Sequence, residues 1–279
     1  MKTVATILVL TFIMICNYSF SQEVDSTGSH KIDTIIPEKI EGKHSPEIDS
    51  TKKEFYVKGG VTITNKGISY IPNLSLGKPA IIFDLSMGNK KLSFEPQLRF
   101  ALNGEPWSFL FPVRYKIKSK GKFQITTGIN PLMNFKNVTY TVNGVSYTDL
   151  VNRRYLGGEL KPNYFFTKNI SAGVVYLYFC GVSDRAVKST HFVSLNTNFT
   201  NIKLGRIFFA KFNPQIYYLN QDNKEGYYFN AVLTLLKRNF PLSVQTNINT
   251  AIQTNISGSE IFIWNVSLIY SLNKIYIQK

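Results

Sequence analysis

The sequence predicts an all-β fold: a closed, antiparallel, up-and-down transmembrane β-barrel of about twelve strands. The first observation behind this prediction is the alternation of apolar and polar residues over stretches of roughly ten residues, the length of a membrane-crossing strand. The second is that short and long connections between these stretches follow each other in turn. Barrels whose two ends face different compartments have such connections, whereas a water-soluble sandwich has no reason to sort its loops by side.

The alternation is clearest on the two sides of the turn-forming segment Ser119-Lys120-Gly121. Mostly apolar side chains occupy every second position there and share one predicted face: Trp107, Phe109, Phe111, Val113, Tyr115, Ile117, Phe123, Ile125, Thr127 and Ile129. The positions between them are mostly basic or polar. Since successive side chains of a strand point to opposite faces, each of the two strands is predicted to have one apolar and one polar face.

The same reasoning divides residues 55–279 into twelve predicted strands. They run approximately over 55–64, 79–88, 91–102, 106–118, 121–135, 152–166, 169–180, 188–199, 202–219, 226–237, 240–253 and 260–273. The connections after the even-numbered strands are short: Asn89-Lys90, Ser119-Lys120-Gly121, Thr167-Lys168-Asn169, Thr200-Asn201 and Arg238-Asn239. Those after the odd-numbered strands are longer, notably 65–78 and 136–151. The 136–151 connection is long enough to fold into the barrel and plug it.

The apolar faces are predicted to point outward and the polar faces inward. Outward residues on four of the strands are Ile81, Phe83, Leu85, Met87, Leu92, Phe94, Leu98, Phe100, Leu242, Val244, Ile248, Ile252, Phe262, Trp264, Val266, Leu268 and Tyr270. Inward residues on two of them are Ser93, Glu95, Gln97, Arg99, Ser243, Gln245, Asn247 and Asn249. Strand 169–180 is apolar on both faces and receives no orientation. The alternation alone also fits a soluble secreted β-sandwich acting as a binding module, because a sandwich buries one face of each sheet.

Two features complicate a simple open barrel. Prolines fall inside five predicted strands, namely Pro96, Pro112, Pro131, Pro162 and Pro214. Because proline lacks a backbone N–H and a closed barrel has no edge strand, we expect local bulges at these positions. Large aromatic side chains are also expected to point inward and narrow the lumen: Tyr155, Phe165, Tyr217 and Tyr228.

The N-terminal residues carry export features. Residues 1–21 are predicted to be a cleaved secretory signal peptide, with Lys2 before the apolar segment 5–16. A lipoprotein signal acylated at Cys16 is the alternative. Residues 22–54 are rich in Ser, Thr, Lys, Glu and Pro and contain no aromatic residue, so we predict a flexible linker. Residues 55–279 form the predicted barrel domain.

Charge is concentrated in the barrel region. After removal of Lys2 and of the five Lys and eight acidic residues in 22–54, the chain's 32 Lys and Arg and 17 Asp and Glu leave a formal +17 over 55–279. The export signal and the scattered positions of the basic residues argue against nucleic acid as a partner. We predict a basic lumen, or basic rims that face anionic lipid head groups. The basic residues predicted to line the lumen are Arg99, Arg114, Lys116, Lys122, Lys161 and Lys211.

One Ser–His pair is a candidate for nucleophilic catalysis. His191 is the only histidine of the barrel region, and Ser189 lies two residues earlier, on the same predicted strand face. Catalysis needs a base within hydrogen-bond distance of the hydroxyl and a third group that orients the base. A histidine among lipid-facing residues is the simpler account of His191, so no catalytic residue is predicted.

The remaining chemistry-bearing residues receive structural roles. Asp84, Glu95 and Glu159 are predicted to pair with inward Lys161, Arg99 and Arg114 rather than to act in acid–base catalysis. After signal cleavage Cys180 is the only cysteine, so no internal disulfide is possible. We predict no metal site and no cofactor.

Taken together, the hairpin spacing, the alternation of connections and the aromatic final strand 261–272, with Tyr270 and Tyr276 near its end, resemble the small outer-membrane β-barrel proteins of Gram-negative bacteria. The resemblance covers 55–279 and places the chain in the broad class of porin-like channels. It implies short periplasmic turns, longer outer loops and insertion by the barrel assembly machinery. The class normally ends on an aromatic residue, whereas Ile277-Gln278-Lys279 follows Tyr276 here.

The resemblance assigns an architecture and no substrate. We predict an outer-membrane porin-like channel with a weak preference for small anionic solutes, and not an enzyme. Outer-membrane lipids are expected to surround it. The alternative is a closed structural or ligand-binding barrel without an open pore. An outer-membrane lipase or deacylase is a further alternative, although the His-x-Ser order of such lipases is not matched here. The oligomeric state is not predicted.

Overall fold

In the computed structural model, residues 54–277 are described and form one sheet of fifteen strand segments. The segments are β1 (Glu54–Thr64), β2 (Ala80–Gly88), β3 (Leu92–Phe94), β4 (Gln97–Ala101), β5 (Pro106–Leu110), β6 (Val113–Lys118), β7 (Phe123–Ile129), β8 (Leu132–Val142), β9 (Val145–Phe165), β10 (Ile170–Gly181), β11 (Ser189–Lys203), β12 (Phe208–Gln221), β13 (Lys224–Lys237), β14 (Leu242–Thr254) and β15 (Phe262–Ile277). A 3₁₀ turn spans Pro72–Leu74. No helix within the described residues is long and apolar enough to cross a membrane. The predicted signal peptide and nearly all of the predicted linker lie outside the described residues.

The sheet closes on itself as a twelve-strand barrel. β1 pairs antiparallel with β15 on one side and with β2 on the other, so no edge strand remains. β3 with β4, β5 with β6, and β7 with β8 are the two halves of three spans that are each interrupted once. The prediction of a closed, antiparallel, up-and-down barrel of twelve strands is therefore confirmed.

Prolines cause the three interruptions, but they do so without the expected bulges. Pro96, Pro112 and Pro131 separate the strand halves, and each carbonyl still accepts a hydrogen bond from the neighbouring span at 2.9–3.0 Å. β7 and β8 keep one continuous register against β9 across Pro131. The missing N–H therefore costs a local gap in the ladder and not a change of register.

The two remaining prolines lie inside continuous strands. No pairing is formed across Pro162 in the ladder between β9 and β10, and the register resumes unchanged beyond it. At Pro214 the side chain of Asn213 donates a hydrogen bond from Nδ2 to the carbonyl of Thr197, at 2.8 Å. The Asn213 side chain thus donates a hydrogen bond to the neighbouring strand beside Pro214, which has no backbone N–H of its own.

The outer wall is apolar and the interior is polar or aromatic, as predicted. Large apolar residues stand exposed on the outside of nearly every span, for example Phe83, Val244 and Trp264. Ser93, Gln97, Arg99, Gln245 and Asn249 are buried inside. Lipid contact favours the first set and a hydrated or hydrogen-bonded lumen the second, so this distribution is that of a transmembrane β-barrel.

The structure changes the predicted face of Trp107 and supplies the orientation of β10. Trp107, predicted to share the outer face with Phe109, is 1% exposed and points inward. The register between β4 and β5 shifts at this point, because Ser108 pairs with Arg99 while Pro106 pairs with Phe100. The extra residue reverses the face of Trp107. In β10, which the sequence left without an orientation, Leu177 and the other odd-numbered residues point inward.

The two ends of the barrel differ in their connections. One end carries only the turns 89–91, 119–122, 166–169, 204–207 and 238–241. The other carries the long connection 65–79 and shorter ones at 102–105, 182–188, 222–223 and 255–261. The connections are thus sorted by length between the two ends less strictly than predicted, since 222–223 is a tight turn at the long-loop end.

The connection predicted to plug the barrel does not fold inward. Residues 136–151 continue the ladder of β8 and β9 as a hairpin that turns at Asn143-Gly144. Nearly all of these residues are exposed on both faces, so the hairpin projects beyond the barrel wall. The plug expectation for 136–151 is wrong, because alternating residues and an Asn-Gly turn form a hairpin instead.

Candidate functional site in the barrel lumen

The connection 65–79, here called the plug loop, enters the barrel at its long-loop end. Its residues Tyr70, Ile71 and Leu74 are buried and join the larger of the two apolar clusters found among residues 54–277. Tyr70 contacts the rings of Phe192 and Tyr217 edge-on, at centroid distances of 6.3 and 6.2 Å. The plug loop therefore closes this end of the lumen in the structure.

Polar contacts fasten the plug loop to the inner wall. The indole Nε1 of Trp107 donates a hydrogen bond to the carbonyl of Leu74 at 2.8 Å. The amide of Asn73 donates to Oε1 of Gln221 at 2.9 Å, and Lys136 Nζ donates to the Asn73 carbonyl at 3.4 Å. These contacts come from three separate parts of the wall, so the loop is held at several points.

One glycine of the plug loop is needed for this packing. A Cβ atom on Gly67 would lie 3.0 Å from the ring of Trp107 and 3.0 Å from Cβ of Leu76. That distance is too short for an ordinary van der Waals contact, so the loop could not approach the indole as closely with a larger residue.

Aromatic rings line the half of the lumen nearer the long-loop end, beneath the plug loop. Tyr217 lies between Phe192 and Tyr228, with centroid distances of 5.0 and 4.8 Å, in a continuous stack. Tyr155 contacts Phe179 edge-on at 5.9 Å. The inward orientation expected for Tyr155, Tyr217 and Tyr228 is confirmed, since each is at most 5% exposed.

The half of the lumen nearer the short turns is lined by amides and hydroxyls. Asn230 donates from Nδ2 to Oδ1 of Asn247 at 2.5 Å and to the carbonyl of Ile248 at 3.1 Å. Other buried polar atoms lack a partner among the described protein groups, including Gln124 Oε1 and Gln215 Oε1. Since buried polar groups are normally hydrogen-bonded, these atoms favour water or a polar solute in this part of the lumen.

Charged side chains cluster on the wall formed by the second to sixth spans. Arg114 contacts Glu95 and Glu159, the latter from Nε to Oε1 at 2.6 Å. Lys161 Nζ lies 3.4 Å from Oε2 of Glu159. The prediction that these acidic residues pair with inward basic residues agrees with this geometry. The pairing also means that part of the positive charge of this wall is neutralised within the protein.

The predicted lumen-lining basic residues occupy different depths. Arg99, Lys116 and Lys161 are buried on the inner face, and the guanidinium of Arg99 lies 5.0 Å from the ring of Trp107. Arg114 and Lys211 are half-buried on the same face. Lys122 is exposed in the 119–122 turn, at the end of the barrel rather than within it.

The Ser–His pair lies on the outer surface near the long-loop end. Ser189 Oγ is 3.3 Å from Nε2 of His191, and the Tyr176 hydroxyl is 3.0 Å from its Nδ1. The ring of Tyr178 packs 4.7 Å from the imidazole. Aromatic and polar groups of this kind are typical of the membrane interface. Among residues 54–277 no group of three potential metal ligands is found.

A closed twelve-strand barrel with an apolar outer wall and a polar lumen has the architecture of outer-membrane β-barrel proteins. No protein-family model matches the chain, and no curated protein matches it either.

Solved structures with a similar fold include several outer-membrane barrels. The KdgM porin in complex with disordered oligogalacturonate is 9% identical, with a TM-score of 0.47, over 78% of this chain and 99% of that one. OmpT, an outer membrane protein of Vibrio cholerae, is 9% identical with a TM-score of 0.38, over 78% and 96% of the two chains. The CymD monoaromatic hydrocarbon channel is 10% identical with a TM-score of 0.36, over 80% and 88%. At these identities the likeness concerns the fold alone.

Proposed function

We propose that the protein is a passive, porin-like channel of the outer membrane whose lumen weakly prefers small anionic solutes. The observation that carries the proposal is a closed barrel whose inner face, unlike its outer one, is lined with polar and basic side chains. A barrel with only a structural role has no need for a hydrophilic interior, because its wall is already closed by backbone hydrogen bonds.

The proposed anion preference rests on the inward basic residues. Arg99, Arg114, Lys116, Lys161 and Lys211 all belong to the inner face. Asp84, Glu95 and Glu159 share that face, so only a small positive excess remains. Since charges in a pore favour ions of the opposite sign, this excess supports a weak selectivity rather than a strict one.

The plug loop is the obstacle to conduction in the structure. Its residues close the long-loop end through the contacts of Tyr70, Ile71 and Leu74. The channel proposal therefore requires that the loop leaves the lumen when solute passes. The alternative, a closed ligand-binding or structural barrel, is favoured by the aromatic stack of Phe192, Tyr217 and Tyr228 below the loop.

Conductance across planar bilayers tests the proposal. Thr64 pairs with Ala80, so residues 65–79 can be replaced by a two-residue Asn-Gly turn without altering the strands. We expect this variant to conduct steadily, whereas the unaltered protein opens only intermittently. Lys136 pairs with Val151, so the same replacement of 137–150 provides a matched control that also removes a long connection and keeps Lys136 in place. We expect the control to behave like the unaltered protein.

The possible results separate the two candidate functions. A reversal potential in a KCl gradient that shows anion preference supports the proposal, and cation preference contradicts the charge argument. If the variant without the plug loop folds but carries no current, the closed barrel is the better account.

The proposal also assigns a location and partners. A cleaved signal peptide at 1–21 would export the chain. The short-turn end, where β1 begins and β15 ends, would face the periplasm. The linker 22–54 would then lie in the periplasm as well. The barrel assembly machinery would insert the barrel, and outer-membrane lipids would cover its apolar wall.

A further inference from the structure

The short-turn end of the barrel carries a ring of basic side chains. Its five turns and the strand ends beside them, 86–94, 117–124, 163–171, 200–208 and 235–243, contain ten Lys and Arg and no Asp or Glu. All ten are exposed, and we call them the basic rim: Lys90, Lys91, Lys118, Lys120, Lys122, Lys168, Lys203, Arg206, Lys237 and Arg238. Among residues 54–277, the acidic residue that reaches this end is Glu54, where β1 begins.

The long-loop end has no comparable excess of positive charge. Its connections and the strand ends beside them, 65–79, 102–105, 136–154, 182–188, 222–225 and 255–261, contain eight Lys and Arg and six Asp and Glu. Two of these cations face carboxylates: Lys66 Nζ lies 2.8 Å from Oε2 of Glu260, and Lys78 Nζ lies 3.7 Å from Oε2 of Glu105. The excess of positive charge at the ends of the barrel is therefore concentrated at the short-turn end.

The basic rim lies at the edge of the apolar outer wall. Lys118 Nζ is 5.6 Å from the ring centroid of Phe123, and Lys237 Nζ is 5.4 Å from that of Phe240. Both rings are exposed. Exposed apolar side chains beside the other turns are Leu92, Phe166 and Phe208. Because lipid tails contact such side chains and the head groups lie just beyond the tails, the rim cations stand at the level of the head groups.

The distribution of the rim cations favours many lipid head groups over a single ligand. The cations are spread over five turns around the barrel, whereas one bound solute would need several of them at one place. Basic side chains at a membrane surface attract lipids whose head groups carry a net negative charge. The chain's own segment 22–54 complements the rim less well, because it contains five Lys besides its eight acidic residues.

We propose that the basic rim binds anionic phospholipids in the leaflet at the short-turn end of the barrel. The partner is narrower than the lipid that covers the apolar wall, because it is defined by its charge and confined to one leaflet. With the short-turn end toward the periplasm, this is the periplasmic leaflet. Lipid binding does not require an open pore, so this proposal and the channel proposal fail separately.

Spin-labelled lipids test the proposal on the full mature chain in phosphatidylcholine bilayers. Lipid in contact with the protein gives a motionally restricted component in the electron paramagnetic resonance spectrum. The size of this component is compared for trace amounts of labelled phosphatidylglycerol, which is anionic, and of labelled phosphatidylcholine. We expect the unaltered protein to prefer phosphatidylglycerol about twofold or more. High salt is expected to reduce this preference, because the rim cations are exposed.

Two variants with equal losses of charge locate the binding surface. The rim variant combines four substitutions at different turns: Lys118→Gln, Lys168→Gln, Arg206→Gln and Arg238→Gln. The matched control removes two Lys and two Arg that are exposed at the long-loop end: Arg154→Gln, Arg185→Gln, Lys188→Gln and Lys224→Gln. We expect the rim variant to lose about half of the preference for phosphatidylglycerol or more, and the control to keep nearly all of it. Equal gel mobility before boiling shows that each variant has folded.

The outcomes are decisive for the basic rim. A loss in the rim variant alone supports the proposal, whether or not the protein conducts. Equal restriction of the two labelled lipids by the unaltered protein would overturn it. Equal losses in the two variants would do the same, by showing that the lipid responds to the total charge of the protein.

A third protein tests the segment 22–54 as the competing occupant of the rim. The acidic residues of 22–53 are replaced by their amides, which keeps the length of the chain: Glu23, Asp25, Asp33, Glu38, Glu41, Glu47 and Asp49. We expect the preference for phosphatidylglycerol to remain as in the unaltered protein. A preference that appears only after these replacements would mean that the acidic segment covers the rim, and the lipid proposal would be wrong.

Discussion

Trp107 shows how one residue escapes a pattern that its neighbours follow. The alternation of the surrounding strand predicts an outward side chain, but a one-residue bulge between Pro106 and Ser108 turns the indole inward. There it holds the plug loop through Leu74 and stacks on Arg99. A bulge depends on how two strands pair, so the sequence of one strand does not reveal it.

Substitution of Trp107 tests the fastening of the plug loop. In Trp107→Phe the hydrogen bond to the Leu74 carbonyl is lost, which costs about 0.5–1.5 kcal/mol. We expect the plug loop to leave the lumen more often, seen as more frequent openings in single-channel recordings. Trp264→Phe is the control, because Trp264 is the other tryptophan and faces outward. Equal opening frequencies in both variants would contradict the role of Trp107.

The ion pairs are a residue-scale feature that sequence reasoning located correctly. Strand alternation alone predicts that Glu95 and Glu159 lie on the inner face, and both contact Arg114. The alternation could not show that one arginine serves both carboxylates. That depends on how the third, fourth and sixth spans are placed around the wall, with the fifth between the last two.

At the scale of elements, the period-two pattern located all twelve spans, and prolines split three of them as local gaps. It did not identify which long connection enters the barrel. Residues 136–151 carry the signals of a hairpin, an Asn-Gly pair in left-handed conformation (φ 53° and 81°) between alternating residues. The plug loop carries the apolar residues Tyr70, Ile71 and Leu74, but 136–151 is also rich in apolar residues, so apolar composition does not separate the two connections. The Asn-Gly turn between alternating residues does separate them, and length does not.

Cysteine substitution tests the register of β6. Lys116 is buried on the inner face and Tyr115 is exposed on the outer one. In barrels folded into lipid vesicles, we expect Lys116→Cys to react with a small membrane-impermeant thiol reagent and Tyr115→Cys to resist it. Native Cys180 is replaced by serine in both proteins so that one thiol is measured. The opposite pattern of reactivity would mean that the register is displaced by one residue.

At the scale of the whole molecule, closure is the defining property. β1 completes the wall by pairing with β2 and β15, so every strand has two neighbours. The exterior is then a continuous apolar surface, which water tolerates poorly and lipid favours.

Gel mobility tests this closure directly. The mature chain folded in detergent is expected to migrate faster before boiling than after it, because a closed barrel stays compact in mild denaturant. Its far-ultraviolet circular dichroism should show a β-sheet spectrum. A helical spectrum, or full solubility without detergent, would contradict a membrane barrel and favour a soluble secreted protein.

The sequence by itself determined the fold class, the number of spans and the inner or outer face of most residues. It could do so because a strand between lipid and a polar lumen must alternate apolar and polar side chains. This requirement is local, so consecutive residues of the sequence show it. Tertiary structure alone decided the rest: the inward turn of Trp107, the entry of the plug loop, and the sharing of Arg114 by two carboxylates. These features depend on contacts between residues that are distant in the chain and meet only when the barrel closes.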